Sequence, residues 1–127
     1  MTLLFVLGNM GSMQHVIPQT PILAVELSEQ LVMALRERDL LFTTTPFQGI
    51  YELIESGDYT TVLFDLRNSC HPYDDVMEIL SITPLTTRIV SVYEGSSERE
   101  GRRLKKLGVE QIGAPVTPDK ICAACLR

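Results

Sequence analysis

Hydrophobic residues along this chain fall into short continuous runs that alternate with longer amphipathic stretches. Three runs are bounded by turn or polar residues: Thr2–Leu7, Thr61–Phe64 and Ile89–Val92. Apolar runs of this length are typical of strands that are buried on both faces of a parallel sheet. Leu40–Thr45, which is β-branched at its end and closed by Pro46, and the short segment Val109–Ile112 predict two further strands.

The first strand and the first helix have two interpretations. In one, Thr2–Leu7 is the strand, and a helix begins at Thr20-Pro21, an N-cap followed by proline, and runs to about Arg38. In the other, Ile22–Val25 is the strand and the helix begins at Ser28, which leaves the first twenty residues as an extra element. We prefer the first interpretation because it gives one continuous apolar helix face. That face consists of Ala24, Leu27, Leu31, Ala34 and Leu35.

Helical spacing follows each of the later strands. The predicted helices are Phe47–Ser56, a segment from Asp74 to Ile82, Ser97–Leu107 with Gly108 as its C-cap, and Pro118–Leu126. Strands that alternate with helices at this connection length predict a parallel sheet covered on both faces. We therefore expect residues 1–127 to form a single three-layer α/β/α domain with a five-stranded parallel sheet.

Composition narrows the function classes. The chain has 127 residues, 45% of them hydrophobic, which suits one globular domain, and its formal net charge of −5 argues against direct nucleic-acid binding by this domain. The apolar start is too short to span a bilayer and lacks the flanks of a signal peptide, so we expect no membrane contact. An odd count of three cysteines suits a reducing compartment, and we expect a cytoplasmic protein.

Two stretches resemble the receiver domain of bacterial response regulators, and the resemblance covers nearly the whole chain. GDYTTVLFDL, residues 57–66, is similar to the receiver strand that delivers the phosphate-accepting aspartate, and residues 88–124 are similar to the region from the fourth strand to the last helix. The resemblance implies a flavodoxin-like fold with strand order 2-1-3-4-5. It also places Asp65 at the phosphoacceptor position.

The same resemblance implies a magnesium site that this sequence does not supply. Receivers carry two acidic residues after the first strand, because Mg²⁺ needs several oxygen ligands to neutralise the transferred phosphate. The first interpretation puts Leu7-Gly8-Asn9 there, and the second puts Glu26 followed by Leu27. The acidic pair is broken in both, so we expect no metal and no cofactor, with Mg²⁺ required only if Asp65 does accept phosphate.

Two further receiver positions also differ. The family's lysine, which holds the phosphoryl oxygens, corresponds to Ala114 before Pro115. Its switch serine or threonine corresponds to Val92, although a shift of one residue would place Ser91 there. We therefore predict a pseudo-receiver, a regulatory protein-interaction module of two-component signalling that lacks most of the phosphotransfer residues.

The resemblance implies protein partners: a kinase, a regulator or a fused output domain such as that of a transcription regulator. Receivers commonly pair through the fourth helix, fifth strand and fifth helix, so a homodimer is a second expectation. The candidate interaction surface consists of Arg99, Arg102, Arg103 and Lys106. The chain ends directly after the last predicted helix, which is compatible with a domain that acts alone and with one cut from a longer regulatory protein.

Two alternative functions use the same residues. One is a receiver that accepts phosphate at Asp65. The other is a STAS-like anti-sigma-factor antagonist, because VLFDLRNSCHPYDDVMEIL, residues 62–80, also resembles that domain, with Ser69 as the phosphorylated serine. Two helical crossovers before the third strand favour the receiver.

Other reactive residues carry little weight as evidence for an enzyme. Cys70-His71 lies in a polar loop without a second histidine nearby in sequence, and the loop Gly8–Ser12 lacks a phosphate-binding motif. Cys122 and Cys125 form a C-x-x-C inside the last helix rather than at its start, which favours two buried thiols over a redox site. We therefore expect no enzymatic activity.

Overall fold

Five strands form one sheet in the computed structural model of the protein, which describes residues 21–56, 59–94 and 98–126. The strands are β1 (Ile22–Val25), β2 (Thr43–Thr45), β3 (Thr61–Asp65), β4 (Arg88–Val92) and β5 (Glu110–Ile112). All neighbouring strands are parallel, and their order across the sheet is β2-β1-β3-β4-β5. The predicted fold class, a three-layer domain with strand order 2-1-3-4-5, is confirmed.

A helix follows each strand. The helices are α1 (Glu29–Glu37), α2 (Ile50–Ser56), which follows a 3₁₀ turn at Phe47–Gly49, α3 (Pro72–Ile82), α4 (Glu98–Lys106) and α5 (Pro118–Cys125). Gly108, just after α4, has φ +81°, a conformation that favours glycine. Its predicted role as the cap of this helix is therefore confirmed. Thr117 caps α5, since its side chain accepts a hydrogen bond from the Lys120 N–H at 3.2 Å.

The preferred interpretation of the first strand and helix is wrong in one respect. Residues 22–25 form β1, between β2 and β3, instead of the first turn of a helix. All four are buried because sheet neighbours lie on both sides and helices cover both faces. The helix begins after Ser28, whose Oγ accepts a hydrogen bond from the Leu31 N–H at 3.3 Å. The second interpretation is therefore correct here, and the strand predicted at Thr2–Leu7 lies outside the described residues.

Smaller differences concern where elements begin and end. The second strand covers only Thr43–Thr45, the last three residues of the predicted run, and the predicted helix from Phe47 starts as a 3₁₀ turn. Such terminal shifts are expected where hydrogen bonding changes within one turn.

Two hydrophobic layers enclose the sheet. Val90 and Val92 face α1 and α5 in one layer, and Val62 and Phe64 face α2, α3 and α4 in the other. This arrangement fixes the carboxyl ends of β1, β3 and β4 side by side at one edge. Among the described residues, no helix is long and apolar enough to cross a membrane.

Candidate functional site at the carboxyl edge of the sheet

Asp65 is the last residue of β3, and its carboxylate is engaged by the second residue after it. The Arg67 Nε donates to Oδ1 at 3.0 Å and Nη2 donates to Oδ2 at 2.8 Å, a two-point contact between planar groups. The Arg67 backbone N–H also donates to Oδ1, at 3.1 Å. Asp65 is 5% exposed, so the arginine and its own loop take up both carboxylate oxygens in a largely buried setting.

The guanidinium of Arg67 reaches a second acid. Its Nη1 lies 3.9 Å from Oε1 of Glu94, in the connection after β4, a longer and more exposed contact than the one with Asp65. The hydrogen bond that Arg67 donates to Asp65 raises the pKa of Arg67 above its ordinary value, although partial burial opposes the shift. Arg67 therefore stays charged and supplies a permanent positive charge at the end of β3.

Glu26, directly after β1, points to a different partner. Its Oε2 accepts a hydrogen bond from the backbone N–H of Phe47 at 2.7 Å, at the start of the 3₁₀ turn. The residue has φ +60°, an uncommon conformation for a residue with a side chain, at the point where the chain leaves the sheet. Its own N–H donates to the Thr45 carbonyl at 3.0 Å. Glu26 therefore joins the ends of β1 and β2.

A shallow cleft of about 250 Å³ lies between these two acids. Its lining is Glu26, Phe47, Gln48, Phe64, Asp65, Asn68, Ser69, Cys70 and Asp75. The rings of Phe47 and Phe64 stack with their centroids 5.6 Å apart and form its apolar side. The structure thus brings Asp65 and Glu26 to one cleft but gives each a partner within the protein.

The loop between β3 and α3 is held by its own side chains. The Ser69 Oγ donates to Oδ2 of Asp75 at 2.6 Å and accepts the His71 N–H at 3.2 Å. Cys70 is exposed beside them. Ser69, the serine of the STAS alternative, thus serves as a local cap for the start of α3.

The predicted interaction surface lies on α4. Arg99, Arg102, Arg103 and Lys106 are all exposed, but two of them have partners on the protein. Arg102 lies 3.5 Å from Glu98, and Arg103 lies 3.4 Å from Glu100 with its guanidinium 4.0 Å from the ring centre of Tyr73. Whether this surface binds a partner stays a prediction.

Comparisons with known proteins find similar structures but no match by sequence. No family model matches the chain, and no curated protein matches it at a significant level. A CheY-like receiver domain protein from Methanospirillum hungatei has a TM-score of 0.66 at 14% identity, covering 86% of this chain and 92% of its own. The receiver domain of Ssk1 from Saccharomyces cerevisiae, solved with the histidine phosphotransfer protein Ypd1, has a TM-score of 0.57 at 14% identity, covering 86% and 88%.

This chain has the receiver fold. A protein from Rhodopirellula baltica named as an adenylate cyclase shares the same fold with this chain, with a TM-score of 0.66, 17% identity and 84% of each chain covered. At such low identity, these likenesses establish the fold alone, so the chemistry has to be argued from the residues at this edge.

The structure locates two residues that the resemblance assigned to the receiver lysine and switch positions. Ala114, at the lysine position, is exposed, and its peptide bond to Pro115 is cis. Val92, at the switch position, pairs in register with Asp65. Ser91, the alternative for that position, pairs with Phe64, and its buried Oγ donates to the Glu110 carbonyl at 3.3 Å.

The residues at this edge do not fit the magnesium ion that receivers use. Both Asp65 oxygens are bonded to Arg67, Oε2 of Glu26 accepts from Phe47, and Leu27 offers no oxygen. No group of three or more acidic, histidine or cysteine side chains within the described residues could hold a metal ion. A divalent cation here would also meet the positive charge of Arg67.

Arg67 is the residue that sequence reasoning missed. The signal that could have found it is an arginine two positions after an acidic strand end, which can fold back onto that carboxylate. For the C-x-x-C in α5, two structural thiols fit the structure better than a redox site does. Burial raises the pKa of Cys125 to about 11, and burial also raises the pKa of Cys122. Raised thiol pKa values oppose the thiolate that a redox site needs.

Proposed function

We propose that this domain is a pseudo-receiver, a regulatory module with the receiver fold that acts by binding protein and does not carry phosphate on Asp65. The observation that supports this most directly is the two-point contact of Arg67 with both oxygens of Asp65. The attacking oxygen of a phosphoacceptor must be free to approach phosphorus, and the metal that neutralises the transferred charge needs the same carboxylate. Here Arg67 competes with both the phosphoryl group and the metal for the Asp65 carboxylate.

The rest of the edge supports the same proposal. Phosphoryl transfer depends almost wholly on positioning and on charge stabilisation by cations around the transferred group. Ala114 offers no cation, and the nearest lysine along the chain, Lys120, donates its Nζ to the Pro115 carbonyl at 2.8 Å. Glu26 is the single acid available after β1.

Protein binding is the function that the remaining surface favours. The α4 helix carries five basic and two acidic residues in a chain of formal net charge −5, so its exposed basic side chains contrast in sign with the chain as a whole. Such local contrast steers and orients charged partners. The Ssk1 neighbour, solved with a protein partner, is a precedent for binding through this fold. We infer a protein partner and no direct contact with nucleic acid or membrane.

The first test is phosphorylation from a small donor. The native chain is incubated with acetyl phosphate and Mg²⁺ and its intact mass is measured, while beryllofluoride and Mg²⁺ are titrated against backbone amide chemical shifts. We expect no added phosphate and no saturable shift around Asp65. The Asp65→Asn variant is the matched control, since it keeps the shape and removes the charge.

A rebuilt site makes the test decisive. In the variant Leu27→Asp/Arg67→Asn/Ala114→Lys, the acidic pair and the lysine are restored and the competing arginine is removed. We expect this variant to bind beryllofluoride or to accept phosphate where the native chain does not. Phosphate on native Asp65, absent from Asp65→Asn, would instead establish the phosphorylatable receiver.

A further inference from the structure

The outward face of α3 is acidic and partly apolar. The helix contains three acidic and no basic residues. Asp74 is exposed and has no hydrogen-bond or ion-pair partner among the residues that the structure describes, and Glu78 accepts the hydroxyl of Tyr51. Met77, between them, is 43% exposed. This face therefore offers negative charge around an accessible methionine.

The outward face of α4 has the opposite charge. Arg102 and Lys106 lie one turn apart on the same side of the helix and are exposed. Lys106 has no ion pair within the described part of the chain, and the pair of Arg102 with Glu98 is exposed and therefore weak. A partner carboxylate can replace such a pair at little cost.

These two helices lie side by side and level with each other. Oε2 of Glu100 accepts the Tyr73 N–H at 3.1 Å, so the first turn of α3 lies beside the first turn of α4. Both helices run in the same direction because each connects parallel strands. Asp74 is one residue beyond Tyr73, and Arg102 is two beyond Glu100; Glu78 and Lys106 are five and six beyond. Counted from this contact, each acid precedes the corresponding base by one residue along the helices.

We propose that two copies of this chain associate through the α3–α4 face about a two-fold axis that runs between the two helices and parallel to them. That rotation places α3 of one copy opposite α4 of the other and preserves height along the helices. Asp74 then faces Arg102 of the second copy, and Glu78 faces Lys106. The contacts occur twice, so the face is complementary to itself.

This inference deepens the proposed function, on which it rests, by naming the partner as a second copy. It also replaces the expected pairing through α4 and α5. On α5, Asp119 pairs with Arg38 at 2.9 Å and Lys120 donates to a backbone carbonyl, so that helix offers one acid and one base to a second copy, fewer charged groups than the α3–α4 face. Two helix faces of 11 and 9 residues are a small interface, so the dimer is weak and depends on salt.

Sedimentation equilibrium of the whole chain tests the proposal. At about 20 mM salt, we expect the average mass to rise toward that of a dimer with concentration, and at about 500 mM we expect at least tenfold weaker association. Arg102→Glu/Lys106→Glu and Asp74→Lys/Glu78→Lys should each be monomeric, because like charges then face each other. An equimolar mixture of the two variants should dimerise again, since both contacts are then attractive.

The restored mixture is the result that a merely damaged protein cannot give. Arg36→Glu, an exposed reversal on α1 in the opposite layer, is the matched control and should dimerise like the native chain. A native chain that is monomeric at low salt, or a dimer that both double variants leave intact, overturns the proposal. Acetyl phosphate treatment of the same samples, followed by intact mass, shows separately whether the proposed function has failed.

Discussion

The ends of β1 and β3 lie side by side at one edge of the sheet. Glu26 follows β1 and Asp65 is the last residue of β3, and the two acids have different roles. Asp65 stays in the strand, is 5% exposed and is bonded at both oxygens by Arg67. Glu26 leaves the sheet at φ +60°, is exposed and accepts a single backbone N–H. A carboxylate at a strand end is therefore not in itself a reactive group, because its nearest partner decides its chemistry.

Side-chain contacts also link the ends of β1 and β3. Phe64 precedes Asp65 and stacks on Phe47, whose N–H is held by Glu26. The aromatic pair thus lies between the two acids and supports both loops. Substitutions at the two strand ends should therefore lower the stability of the protein by different amounts, and the following variants measure the difference.

The largest effect is expected from Phe64→Ala. The ring is 1% exposed, and its removal leaves a cavity beneath both acids, which should lower the free energy of unfolding by about 3–5 kcal/mol. Urea denaturation monitored by circular dichroism measures this loss. A loss below about 1 kcal/mol would mean that the two strand ends are not supported by a shared core.

Arg67→Ala should have the next largest effect. It leaves the buried Asp65 carboxylate with only a backbone N–H, and an unpaired buried charge costs more than the pair contributes. We expect a loss of about 1–3 kcal/mol, less than for a fully buried pair because Arg67 is partly exposed. Asp65→Asn/Arg67→Ala should be more stable than Arg67→Ala alone, as measured in the same urea series. If the double variant were the less stable one, the ion pair would not explain the burial of Asp65.

Arg67→Lys should lie between native protein and Arg67→Ala. A lysine keeps the charge but cannot make the two-point contact, so we expect a loss of about 0.5–1.5 kcal/mol. Equal stabilities of the lysine and native proteins would show that charge alone holds Asp65.

The smallest effect is expected from Glu26→Gln. An exposed, singly bonded carboxylate contributes less than about 1 kcal/mol, and the amide oxygen can still accept the Phe47 N–H. Thermal unfolding should shift by only a few degrees at most. A loss as large as that of Arg67→Ala would remove the contrast between the two strand ends.

Sequence reasoning succeeded for the elements whose local signals agree with their surroundings. Thr61–Phe64 and Ile89–Val92 are hydrophobic runs bounded by polar residues, and both lie in strands as predicted, in β3 and β4. It failed at residues 22–28 because Thr20-Pro21 has the sequence form of a helix start, and a four-residue buried strand is too short to show a period of its own. Only pairing with two neighbouring strands distinguishes β1 from a helix turn.

For the candidate site, the sequence by itself determined the residue types. It placed Asp65 at a strand end and Ala114 before Pro115, and it left the acidic pair broken in either interpretation of the first strand, so these identities already predicted a weakened phosphotransfer site. It did not reveal that Arg67 folds back onto Asp65, because that contact depends on the path of the loop after β3. Nor did it reveal that α3 and α4 lie side by side. The two helices become neighbours only because the parallel strands that they connect place them on the same face of the sheet.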